Sequence, residues 1–110
     1  MQVITGAGEF AGTGVSWVEQ LRVSDLSVGT YSIPAGGEDD QTPHTEDEVY
    51  VVQSGRATLV TTTGIADLGP GSVVFVPAGE RHRFTEVSED LALLVVFAPP
   101  YGSRAPGSPA

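Results

Sequence analysis

The sequence predicts an all-β sandwich or barrel, and three observations carry that prediction. Fourteen glycines and eight prolines interrupt the 110 residues every few positions. No window keeps apolar residues at helical spacing long enough for an amphipathic helix. Short alternating or wholly apolar runs recur instead, at roughly 8–12-residue intervals, the rhythm of a strand-and-turn fold. The length suits one domain, since domains cluster at about 100–150 residues.

The elements follow in order. Val15, Trp17, Leu21 and Val23 share one parity, as a half-buried strand requires, and the stretch from Val3 to Val23 offers a sheet edge. Val28–Ile33 is a second strand. Val49–Val52 and Ala57–Thr62 flank Gln53-Ser54-Gly55-Arg56, which reads as the turn of a hairpin. Val73–Val76 and Leu91–Phe97 are apolar at consecutive positions and are expected to lie between layers. Phe84 belongs to a further strand after Gly79. The domain is expected to span residues 1–98. The Pro/Gly/Ser-rich residues 99–110 read as a disordered tail that buries little.

Composition excludes several chemistries. Without cysteine there is no disulfide, no thiolate zinc site and no thiol nucleophile. All five cations are arginines, so a Schiff-base or phosphate-loop lysine is excluded as well. A net charge of −9 leaves no basic face for nucleic acid or anionic membrane. No apolar run approaches the ~20 residues of a membrane span, and the first residues lack the order of a leader, so a soluble cytoplasmic protein is expected.

Gly6-Ala7-Gly8-Glu9-Phe10-Ala11, with Asp25 further on, matches a dinucleotide-binding pattern in letters. That pattern works through a helix N-terminus that holds the pyrophosphate. Here Gly12-Thr13-Gly14 and then strand-like alternation follow, so no helix can start and the match is rejected.

The two histidines are more informative. In Thr42-Pro43-His44-Thr45-Glu46-Asp47-Glu48, an extended chain would put His44, Glu46 and Glu48 on one face. In the second stretch, Gly71 to Glu86, a strand ends at Pro77, the chain turns at Gly79, and His82, Phe84 and Glu86 share a parity on re-entry. Two imidazoles and a carboxylate converging on a barrel interior suit a divalent first-row metal with open positions. Glu38-Asp39-Asp40 reads as a solvated acidic run, and Arg56, Arg81 and Arg83 as exterior residues.

These two stretches resemble the motifs of the cupin superfamily, in particular its small single-domain members. Gly36, His44, Glu48 and Gly55 match the first motif (36–55), with Thr42 where a first histidine would stand. Gly71, Pro77, Gly79 and His82 match the second (71–86), with Glu86 at the position of an asparagine. The resemblance implies a small double-stranded β-helix, or jelly-roll, barrel. It implies one divalent transition metal ion (iron, manganese, nickel or zinc) held by His44, Glu48 and His82. Thr42, Tyr50, Phe75 and Phe84 would wall a pocket for a small-molecule substrate or ligand, though the three aromatic residues are core residues first. In an enzyme of dioxygenase, isomerase or cyclase type, Glu46 or Glu86 would accept a proton. The competing class is a non-catalytic ligand-binding or sensory barrel with a degraded or absent metal site. Small cupins commonly pair, so a homodimer through edge strands is expected. Alternation cannot separate Glu46 from Glu48. The spacing to Gly55 favours Glu48 as the ligand and places Glu46 nearer the mouth.

Overall fold

A computed structural model describes residues 1–39 and 43–106. Among them there is no helix; the chain forms β1 (Ser16–Arg22), β2 (Ser27–Ile33), β3 (Asp47–Thr61), β4 (Gly64–Leu68), β5 (Val73–Val76) and β6 (His82–Ala98). All pairings are antiparallel, in the order β1-β2-β6-β3-β4, with β5 also on β3. This is the expected jelly-roll.

The fold is organised by two long strands of 15 and 17 residues. The first half of β3 lies between β5 and the C-terminal half of β6, where Glu48 pairs with Val76 on one side and Phe97 on the other. Its second half lies between β4 and the N-terminal half of β6. Bulges make the transition. Three register shifts separate Val52 from Thr58 along the β3–β6 pair, and a bulge bends and twists the strand that carries it.

The same bulges decide which side chains face inward. In β3 the buried residues are Glu48, Tyr50 and Val52 before Gly55, then Ala57 and Leu59 after it. In β6 the inward residues are His82 and Phe84 before Glu86, then Val87, Leu91, Leu93, Val95 and Phe97, with Ala92 buried on the other face. Each strand changes parity once. Tyr31, Ile33, Leu68 and Val76 complete the core between the layers.

Three expectations need correction. Gln53–Arg56 is no hairpin turn, because β3 runs through it. Gly55 has φ 87°, and a Cβ there would run into the Asp90 carbonyl oxygen, so the glycine serves a close approach of two strands. The chain reverses at Thr62-Thr63 instead, between paired Thr61 and Gly64. Val73 and Phe75 are not between layers: they are 67% and 60% exposed on the outer face, opposite half-buried Val51 and Val49. Asp39, read as part of a solvated run, is buried; it accepts hydrogen bonds from the Tyr31 hydroxyl at 2.7 Å and the Phe84 amide at 2.8 Å.

The glycine-rich lead-in forms no nucleotide-binding turn. Gly8 donates its amide to Thr30 Oγ1 at 2.7 Å, which covers the outer side of β2. No helix among the described residues is long and apolar enough to cross a membrane.

Candidate metal centre

Strand geometry places two of the three predicted ligands. Glu48 enters the interior from the start of β3, and His82 from the start of β6. His44 precedes β3 in a non-strand segment that is tied down where the Gly79 amide donates to the His44 carbonyl at 2.7 Å. One nitrogen from each histidine and one Glu48 oxygen all lie within 4.8 Å of one another.

The donor set fits a divalent cation. Glu48 Oε1 and His82 Nε2 are 3.2 Å apart and fully buried, yet neither has a hydrogen-bond partner. Close approach without donor–acceptor alignment leaves two polar atoms facing one point, an arrangement expensive in an apolar interior. On its other side His82 Nδ1 is 2.9 Å from the Glu80 carbonyl. Donation of Nδ1–H to that carbonyl leaves the Nε2 lone pair for a metal, as ligating histidines require.

The electrostatics separate the imidazoles. Burial pushes His44 towards its neutral form, and with the neighbouring His82 it outweighs the Glu48 and other carboxylates, so the pKa falls. Burial acts the same way on His82. There the contact with Glu48 and the Glu80 carbonyl prevail, and the pKa rises. Asp39 adds a further negative field at both rings.

The remaining predicted residues fall in different places. Thr42 lies outside the described residues. Tyr50 and Phe84 are buried on the core side of the cluster, Tyr50 with its ring 5.9 Å from His82 and 5.0 Å from Phe84. Phe75 cannot wall this interior, because position 75 faces outward. Glu86 is exposed with φ 48°; the bulge around it gives the inward place to Val87, which ends the parity shared with His82.

Glu46 is buried but faces the chain's end rather than the cluster. Its Oε1 accepts from the Gly102 amide at 2.8 Å and its Oε2 from the Arg104 amide at 3.0 Å, with Thr45 Oγ1 also bonded to Oε2. Burial raises its pKa, but these hydrogen bonds together outweigh burial and hold it below the ordinary carboxylate range. Alternation fails for this residue because 43–46 is not strand.

Residues 100–106, expected within a disordered tail, form a run of turns against the barrel; 107–110 lie outside the described residues. The Tyr101 amide donates to Ser27 Oγ at 2.9 Å, and Arg22 Nη2 donates to the Tyr101 carbonyl at 2.9 Å. The Tyr101 ring lies 4.8 Å from Phe97 and 5.3 Å from His44. Sequence reasoning misses both Tyr101 and Asp39. An aromatic residue inside a Pro/Gly/Ser-rich stretch is the available signal for Tyr101.

At the rim, Pro43, Thr61, Thr62, Arg81 and Arg83 line an open groove of about 420 Å³ that reaches His82.

Comparison with known proteins gives the same answer as the motifs. The sequence matches the cupin domain family over residues 29–97. It is 47% identical over 92 residues to the uncharacterized protein SCO3923 of Streptomyces coelicolor, covering 84% of this chain and 88% of that one. Among solved structures, TT1209 from Thermus thermophilus superposes with a TM-score of 0.73 at 22% identity, over 91% of this chain and 97% of that one. An RmlC-like cupin protein from Desulfovibrio desulfuricans does so at 0.72 and 20% identity, over 91% and 96%. With the family matched over most of the barrel and both motifs in place, the chain belongs to the cupin domain family.

Proposed function

We propose that His44, Glu48 and His82 hold one divalent transition metal ion (iron, manganese, nickel or zinc), and that this centre acts on a small organic molecule. The observation that carries the reading is the buried pair Glu48 Oε1 and His82 Nε2, 3.2 Å apart with no hydrogen bond to either, with His44 beside them. A bound metal would supply Lewis-acid or redox chemistry at positions the three side chains leave open. The chain's own contribution is to hold His82 by its Nδ1, surround the imidazoles with the Asp39 and Glu48 carboxylates, and back the site with Tyr50 and Phe84. Reactions of dioxygenase, isomerase or cyclase type all suit such a centre. The rim groove beside His82 supports a small-molecule partner.

The second reading is a non-catalytic ligand-binding or sensory barrel. Thr42 in the place of the first motif's histidine favours it, because it leaves the site one imidazole short. In either reading the protein works in the cytoplasm as a homodimer. The dimer is supported by the position of β1 at a sheet edge and by exposed Val15, Val18 and Val23 around it.

Metal content of the purified protein by plasma mass spectrometry tests the centre. One transition metal ion per chain is expected, and a chain that takes up none after incubation with iron, manganese, nickel or zinc overturns it. Oxygen uptake by the iron(II)-loaded protein with phenolic or diketone compounds then separates a dioxygenase from a binder.

A further inference from the structure

Glu48 and His82 are fixed by strand ladders, whereas His44 is not. It stands in the non-strand segment before β3, and its ring is held by other rings: Phe97 at 5.0 Å and 82°, Tyr101 at 5.3 Å and 70°, and His82 at 5.4 Å. Phe97 belongs to β6 and is buried. Tyr101 comes from outside the barrel strands, so something must hold it there.

What holds it is a set of polar contacts along residues 101–104. The Tyr101 backbone is pinned at its amide by Ser27 and at its carbonyl by Arg22. The Glu46 carboxylate then accepts the amides of Gly102 and Arg104 with its two oxygens. Two internal turn bonds, Ser103 to Pro100 at 2.9 Å and Ala105 to Gly102 at 3.1 Å, shape the segment. Charge-assisted bonds from backbone amides to a buried carboxylate are among the stronger ones a chain can make. A carboxylate two residues from His44 therefore fastens the segment whose aromatic ring packs on His44.

From this we infer that Tyr101 is a positioning residue for the metal ligand His44, with Glu46 as the anchor that keeps Tyr101 in place. The inference rests on the metal-centre reading for its effect on affinity, but the contact between Tyr101 and His44 does not depend on it. Groups that orient a ligand typically cost about 10–100-fold in metal affinity when removed.

The test uses the full chain and Zn²⁺ alone as the probe, titrated against a competing chelator dye, with Tyr101→Ala, Tyr101→Phe and Glu46→Gln. Tyr101→Ala should weaken zinc binding by about 10–100-fold, and Tyr101→Phe should restore it, because the ring makes the contact. Glu46→Gln replaces one acceptor oxygen with a donor and should weaken binding in the same direction, which keeps the test open should Tyr101→Ala fold poorly. Imidazole NMR signals of the metal-free chain provide the second readout. Loss of the Tyr101 ring should weaken the nuclear Overhauser contacts between the His44 and Phe97 rings, while those between His82 and Tyr50 stay. A melting temperature that falls while zinc affinity stays at the wild-type level marks a structural role only and overturns the inference. If the wild-type chain binds no zinc, the metal reading fails and the NMR readout decides. Loss of the His44–Phe97 contacts in Tyr101→Ala upholds the positioning, and contacts kept at wild-type strength overturn it.

Discussion

Glu48 Oε1 and His82 Nε2 meet at 3.2 Å inside the barrel without forming a hydrogen bond. The two strands that carry them approach through Phe97, which pairs with Glu48, and through Thr61, which pairs with His82. The acid therefore comes from one layer and the base from the other. Removing either takes one donor from the three-residue cluster and leaves the other buried without its nearest counter-group. Glu48→Gln and His82→Ala are each expected to abolish stoichiometric metal binding, measured as metal per chain after dialysis against a weak chelator. A Glu48→Gln protein that keeps one ion per chain would remove Glu48 from the ligand set.

Protons compete with a metal for the histidines, and the direction of each shift sets where. His82 has a raised pKa, so on acidification it takes up its proton at or above the ordinary value of about 6.5. His44 has a lowered pKa and takes up its proton at lower pH. Zinc affinity should therefore begin to fall above pH ~6.5 and fall more steeply below it, as the second imidazole charges. Isothermal titration from about pH 5 to about pH 8 checks this, and an affinity flat over that range contradicts a two-histidine site.

The close approach at Gly55 makes a stability prediction. A left-handed backbone costs a non-glycine residue about 1–3 kcal/mol, and the Asp90 carbonyl occupies the place a Cβ would take. Gly55→Ala should lose at least that much in denaturant unfolding. Gly64→Ala is the control: its φ is ordinary and nothing lies within 4 Å of the added Cβ, so it should stay within about 0.5 kcal/mol of wild type.

Phe75 and Phe84 look alike in sequence, each in an apolar strand, but their costs should differ. Phe84 is 1% exposed and packed on Tyr50, so Phe84→Ala should destabilise by about 3–5 kcal/mol. Phe75 is 60% exposed, and Phe75→Ser should change stability by no more than about 0.5 kcal/mol. Equal losses would mean that position 75 is covered in solution.

Truncation after Pro100 separates a docked segment from a loose tail. It removes the amides of Tyr101, Gly102 and Arg104 from Ser27 and Glu46 and takes away the segment that lies on the Glu46 carboxylate. Net loss of about 1 kcal/mol corresponds to roughly 4–8 °C in a domain this small. Thermal unfolding should therefore show a fall of at least about 4 °C; no fall would restore the tail to a passenger.

Spacing makes the His/Glu/His cluster legible. His44, Glu48 and His82 sit at motif positions, and the structure brings those three together. Local pattern is less informative wherever a distant partner decides. Gly55 marks either a turn or a bulge in sequence, and only the facing Asp90 backbone distinguishes them. Asp39 looks like its acidic neighbours until Tyr31 and the Phe84 amide arrive from other strands to satisfy it. Alternation misplaces Glu46 because it does not apply in a segment that is not strand. Val87 displaces Glu86 from the interior because a bulge breaks the period of two on which the parity argument rests.

Strand order also has a temporal consequence. β6, last in chain order among the strands of the described residues, lies at the centre of the sheet, between β2 and β3. During synthesis β1 and β2 can pair only with each other, and the hydrogen-bonding edge of β2 waits until residues 91–97 emerge. His82 lies on that same final strand. A nascent chain therefore carries His44 and Glu48 well before His82 can join them, and the three side chains meet only once β6 has been made.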